Sequence, residues 1–164
     1  MGKSVCFTGH RPGKLAVPYD ENCTAIKYIK SKLSEEIQLA INDGYTVFYT
    51  GMAAGVDIIA AEIVLEYQKK YTDLELLCII PFHAQYSALK ENMWRVRYKN
   101  IIAHETKHII LSEDYYDGCF LDRNRYMVDN TSRVIAVWNG QSSGTSSTVR
   151  YGQRTGREVK IISI

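Results

Sequence analysis

Short apolar runs alternate with helix-patterned stretches about six times along this chain, and that rhythm constrains the fold more than any single motif. The strand-like runs are Ser4–Thr8, Tyr45–Tyr49, Leu74–Ile80, Ile109–Leu111, Arg133–Trp138 and Glu158–Ile164. Between them, Ile26, Ile29, Leu33, Ile37, Ala40 and Ile41 recur at helical spacing, as do Val56, Ile59, Ala60, Ile63, Val64 and Tyr67. Asp20 or Asn22 is placed to cap the first of these helices, and Asn42-Asp43-Gly44 to end it. A third helix is expected over 86–104, with Leu89, Met93, Val96 or Arg97, and Ile101 on one face. Two more are expected over 119–130 and 145–155. Several strands are near-continuously apolar, which suits strands covered on both faces. The pattern predicts an α/β three-layer sandwich, with a mostly parallel central sheet of about six strands and helices on both sides. No linker, repeat or low-complexity segment interrupts it, so residues 1–164 are read as a single domain.

Composition removes several functional classes. The net charge of +2, from 20 basic and 18 acidic residues, is too balanced to call for nucleic acid as a partner. No apolar run is long enough to span a bilayer, so no membrane is expected. Met1-Gly2-Lys3-Ser4-Val5-Cys6-Phe7 leads straight into a strand pattern without a secretory leader. Cys6, Cys23, Cys78 and Cys119 are scattered, with no C-x-x-C pair, which fits a reducing cytoplasm.

In an open parallel sheet, ligands bind beyond the carboxyl ends of the strands. The residues there are Thr8-Gly9-His10-Arg11 after the first strand, Thr50-Gly51-Met52 after the second and Pro81-Phe82-His83 after the third. Trp138-Asn139-Gly140 follows the fifth and leads into Ser143-Gly144-Thr145-Ser146-Ser147-Thr148. Thr50 to Asp57 reads as a glycine-bearing turn from strand to helix. Such a turn presents bare N–H groups and a positive helix end to an anion. Arg11 is read as a phosphate partner or a rim residue, Asp57 as a ribose-hydroxyl acceptor or a helix N-terminal charge, and His10 as a turn residue more than a catalyst. Arg123, Asn124 and Arg125 are read as phosphate contacts, a subunit contact or a solvated helix face. Trp138 is read as packing or base stacking. An anion cradle, a cation and an aromatic plate together suit a nucleotide-like ligand.

His104-Glu105-Thr106-Lys107-His108 satisfies the H-E-x-x-H zinc pattern. That chemistry needs both histidines on one face of a continuous helix. Here a strand follows at once, so no metal site is expected.

Four blocks carry a family resemblance. They are Cys6-Phe7-Thr8-Gly9-His10-Arg11-Pro12, Gly51-Met52-Ala53-Ala54-Gly55-Val56-Asp57 with Ala60-Ala61-Glu62, Arg123 to Asp129, and Ala136-Val137-Trp138-Asn139-Gly140. In this order they resemble the YpsA-like family of the SLOG superfamily, Rossmann-like domains related to the DNA-processing protein DprA and the LOG nucleotide hydrolases. The resemblance implies a Rossmann-like domain that binds a nucleotide or nucleotide-derived ligand, and a link to cell division in Gram-positive bacteria. It carries ligand-binding roles onto Gly9, His10 and Arg11, onto Gly51, Met52, Gly55 and Asp57, and onto Gly144, Thr145 and Thr148. The family's last loop usually reads Gly-Gly-Thr, whereas this chain has Ser143-Gly144-Thr145. The LOG hydrolases carry a catalytic Glu where alignment on Gly144-Thr145 places Thr148. A hydroxyl cannot replace a carboxylate as acid or base near neutral pH.

The expected function is therefore sensing or regulation through a bound nucleotide-like ligand rather than catalysis, with no certain cofactor. The ligand-contact candidates are Thr8, Gly9, His10, Arg11, Gly51, Met52, Gly55, Asp57, Arg123, Asn124, Trp138, Gly140, Gly144, Thr145 and Thr148. The expected macromolecular partners are further copies of the chain and a protein partner. A phosphoribohydrolase-like nucleotide hydrolase, with Asp57 or Glu62 as catalytic residue, is the first alternative. A DprA-like module for single-stranded DNA is the second.

Overall fold

The structure is a computed structural model that describes residues 3–164, so the reading of Met1-Gly2 lies outside the described residues. Six strands form one parallel sheet: β1 (Lys3–Gly9), β2 (Tyr45–Thr50), β3 (Glu75–Ile80), β4 (Lys107–Ile110), β5 (Arg133–Trp138) and β6 (Glu158–Ser163). The helices are α1 (Thr24–Asn42), α2 (Val56–Gln68), α3 (Gln85–Ala88), α4 (Asn92–His104), α5 (Cys119–Asp129) and α6 (Gly144–Arg154). This is the expected Rossmann-like α/β architecture.

Strand order is β4-β3-β2-β1-β5-β6. The chain steps outward from β1 to β4, then returns to lay β5 on the other side of β1. Right-handed crossovers put α1 to α4 on one face and α5 and α6 on the other. The packing agrees, with α1 against α2, α2 against α4, and α5 against α6. Strand side chains alternate between the layers. Val5 and Phe7 enter the core beneath α1, α2 and α4, while Cys6 points to the smaller core beneath α5 and α6. Phe7 and Phe48 stack within the larger core, their ring centroids 6.0 Å apart.

Two local expectations need correction. Neither Asp20 nor Asn22 caps α1. Its N-cap is Cys23, without a side-chain hydrogen bond, and Asp20 instead accepts the Asn22 N–H at 2.9 Å in a tight turn. The helix expected over 86–104 is broken at Leu89–Glu91. Leu89 and Glu91 are extended, and the Leu89 side chain is buried in the core. The break rotates the face that follows. Trp94, Tyr98 and Ile101 are the buried residues of α4, while Met93 and Val96 are exposed.

Candidate functional site

The sheet has its switch point between β1 and β5, where strand order reverses, and crevices for ligands open at the carboxyl ends of strands there. A cleft of about 360 Å³ occupies this place. It is lined by the turn after β1 (Thr8, Gly9, His10, Arg11, Gly13 and Lys14), by Ala53 and Asp57 at the start of α2, by Phe120, Arg123 and Asn124 of α5, and by Ser143, Gly144 and Thr145 at the start of α6. Its size is at the small end for ligand sites.

The charge of the cleft is cationic. Among the described residues, Arg11, Lys14 and Arg123 share the cleft with a single carboxylate, Asp57. Arg11 and Lys14 are exposed and have no carboxylate partner among the described residues. Arg123 is 3% exposed. Its Nη1 donates to the Gly51 carbonyl, its Nε donates to Asn124 Oδ1 at 2.8 Å, and burial pushes its pKa below the ordinary value while Asp57 opposes the shift. Burial likewise pushes Asp57 above the ordinary carboxylate range, against the pull of Arg123, the Ala53 N–H and Arg11. His10 is buried, and its Nε2 accepts the Asn139 N–H at 3.1 Å. Burial, then Lys14, holds its pKa below the ordinary value.

The glycine turn differs from the open anion cradle that its sequence suggests. The Met52 N–H donates to Thr50 Oγ1 at 3.3 Å, the Ala53 N–H to Asp57 Oδ2 at 3.2 Å, and the Val56 N–H to the His10 carbonyl at 3.3 Å. The protein's own oxygens thus occupy positions a ligand would need. Two glycines here serve close packing. A β-carbon on Gly51 would collide with the Arg123 guanidinium. One on Gly55 would come within 2.5 Å of the His10 carbonyl oxygen, at a backbone φ of +98° that favours glycine. Met52 is fully buried.

The open donors belong to α6. Ser143 is its N-cap, accepting the Ser146 N–H at 3.2 Å, while Ser146 Oγ accepts the Ser143 N–H at 2.7 Å. This capping box gives Ser143 a structural role that a glycine could not fill. Gly144 and Thr145 are the first two helical residues, so their N–H groups lack intrahelical acceptors, and both residues line the cleft.

Nine of the residues singled out from sequence therefore converge on one cleft: Thr8, Gly9, His10, Arg11, Asp57, Arg123, Asn124, Gly144 and Thr145. Gly51, Met52, Gly55, Trp138, Gly140 and Thr148 do not line it. Thr148 is buried and spends its hydroxyl on structure, donating to the Gly144 carbonyl at 3.1 Å and accepting from Asn124 Nδ2 at 3.1 Å. The indole N–H of Trp138 donates to the Gln141 carbonyl at 2.8 Å. Glu62 stands elsewhere, paired with Arg97 at 2.5 Å, beside a separate surface groove of about 660 Å³ between α1 and α2. Sequence reasoning missed Phe120, Lys14 and Gly13. Phe120 sits one turn before Asn124, a helical spacing that could have pointed to it.

The H-E-x-x-H motif is split as expected, with His104 closing α4 and His108 inside β4. His108 Nδ1 contacts Glu105, and no three metal-ligating side chains cluster among the described residues. No helix among the described residues is long and apolar enough to cross a membrane.

An all-parallel sheet with its cleft at the switch point defines a Rossmann-like α/β protein. The sequence places it more narrowly. The YpsA model, described as the YspA SLOG family, matches residues 5–160, and the chain belongs to that family. A UPF0398 protein of Bacillus pumilus is 26% identical over 145 residues, spanning 87% of this chain and 77% of its own length. Among solved structures, DprA of Streptococcus pneumoniae matches with a TM-score of 0.66 at 20% identity, covering 99% of this chain and 50% of that one. DprA of Helicobacter pylori, described for its single-stranded DNA binding mode, matches with a TM-score of 0.63 at 20% identity, covering 97% of this chain and 64% of that one. The chain thus spans half to under two thirds of these DprA chains, and the likeness shows a shared fold.

Proposed function

We propose that this protein is a cytoplasmic regulatory protein whose switch-point cleft takes a small, phosphate-bearing, nucleotide-derived ligand. One observation carries the reading: the Arg11 and Lys14 side chains share a cleft with the N–H groups of Gly144 and Thr145, and none of the four has a carboxylate or other acceptor partner among the described residues. Helix N-terminal amides and free cations are the groups that hold phosphate. Regulation is preferred over catalysis because Thr148 is committed to α5 and α6, Glu62 lies outside the cleft, and Asp57 is the one carboxylate within it among the described residues. Signalling would pass to further copies of the chain or to a protein partner, and the family's link to cell division suggests where to look for one.

The test is a thermal-shift screen with nucleoside mono- and diphosphates. A ligand at 100 times its Kd adds about 2.7 kcal/mol to the native state. At about 2–4 °C per kcal/mol for a chain of this size, Tm should rise about 5–11 °C. Arg11→Ala should abolish the rise. A chain that no phosphate compound stabilises would remove the proposal.

Asp57 supports a second reading. A buried carboxyl lifted above its ordinary range is the form of group that protonates a leaving base. Release of free base from nucleoside monophosphates, lost in Asp57→Asn, would establish a hydrolase instead.

A further inference from the structure

We infer that the cleft reads the sugar-phosphate part of its ligand and leaves the base outside. The inference rests on the proposed function and narrows it. A base is held by stacking on an exposed aromatic face or by hydrogen bonds to its edge. Two lining side chains carry aromatic rings: His10, which is 4% exposed with its Nε2 taken by the Asn139 N–H, and Phe120, a half-buried ring with other groups close against it. The Arg11 guanidinium lies 5.1 Å from its centroid and that of Arg123 5.7 Å, while Phe82 meets it edge-on at 6.0 Å. Trp138, the other aromatic candidate, is not among the lining residues.

What remains for a ligand is polar. The Gly144 and Thr145 N–H groups with Arg11 and Lys14 suit a phosphate monoester. Asp57 lines the same cleft; its Oδ2 takes the Ala53 N–H and its Oδ1 has no hydrogen-bond donor among the described residues. An unpaired carboxyl oxygen in a cationic cleft suits the hydroxyls of a polyol. A volume of about 360 Å³ also favours a compact guest over a dinucleotide.

Isothermal titration of the intact chain tests this with ribose 5-phosphate, AMP, CMP, adenosine and methyl phosphate. Ribose 5-phosphate, AMP and CMP should bind within about tenfold of one another, a difference of one decade in Kd. Adenosine and methyl phosphate should each bind at least about tenfold more weakly, for want of the phosphate and of the hydroxyls respectively. AMP binding about 100-fold tighter than ribose 5-phosphate, or an equal gap between AMP and CMP, would overturn the inference and leave the proposed function standing. Methyl phosphate binding as well as ribose 5-phosphate would also overturn it. Failure of every phosphate to bind would remove the proposed function itself. Asp57→Asn, checked for native melting, should weaken ribose 5-phosphate relative to methyl phosphate. The wild-type comparison of those two compounds decides the matter even if that variant does not fold.

Discussion

Gly51→Ala tests how the cleft is held together. Gly51 sits where β2 hands over to α2, and a β-carbon there would lie 2.5 Å from Nη1 and 2.7 Å from Nε of Arg123. Arg123 has little room to yield, being 3% exposed and held by the Gly51 carbonyl and Asn124. Displacing it breaks a buried hydrogen bond to a charged group, a loss of about 1.5–3 kcal/mol. Reduced freedom of the unfolded chain returns about 0.4–1 kcal/mol on replacing glycine. The net expectation is a loss of about 0.5–2.6 kcal/mol, or a fall in Tm of about 1–10 °C at this chain length. Urea unfolding followed by circular dichroism supplies the measurement. A double-mutant cycle with Arg123→Met identifies the cause, because contacting residues couple and independent ones add. In the Arg123→Met background the same alanine should cost almost nothing. Equal losses in both backgrounds, or a Gly51→Ala protein as stable as the parent, would refute the account.

Four further outcomes are expected. Phe48→Ala removes a fully buried ring stacked on Phe7 and should cost about 3–5 kcal/mol in urea unfolding. Thr148→Val deletes a hydroxyl that joins Asn124 to the Gly144 carbonyl and should cost about 1–3 kcal/mol, with weaker ligand binding because both partners line the cleft. His10 has a folded pKa below its unfolded value of 6.5, so the native state binds fewer protons between the two values. Its contribution is complete above pH 6.5 and lost as pH falls through that value towards the folded one. The stability profile of His10→Gln should therefore be flatter over this window than that of the parent. Glu62→Gln should leave the ligand-induced rise in Tm unchanged, because Glu62 pairs with Arg97 away from the cleft.

Much of the site was legible in the sequence because the loops at the strand ends follow from where the strands end. Thr8 to Arg11 and Gly144-Thr145 are local to their strands and needed no knowledge of the rest of the chain. Arg123 and Asn124 came from a motif, and their roles were not readable, since α5 meets the β2 turn only after a return across the sheet. Asn124 binds Thr148, and Arg123 reaches back 72 positions to the Gly51 carbonyl. The break at Leu89–Glu91 was invisible because the apolar spacing on either side still fits one helix. A buried leucine in an extended backbone costs nothing that periodicity records.

Residue order alone settled the alternation of strand and helix, the parallel sheet and the rim where polar loops gather, because periodicity and glycine placement act over a few neighbours. Tertiary structure decided which amides stay free. Thr50, Asp57 and His10 take N–H groups of the glycine turn, while the first turn of α6 keeps two of its own. Hydrogen-bond partners are assigned by proximity in space, and a chain shows that only once its distant segments have packed.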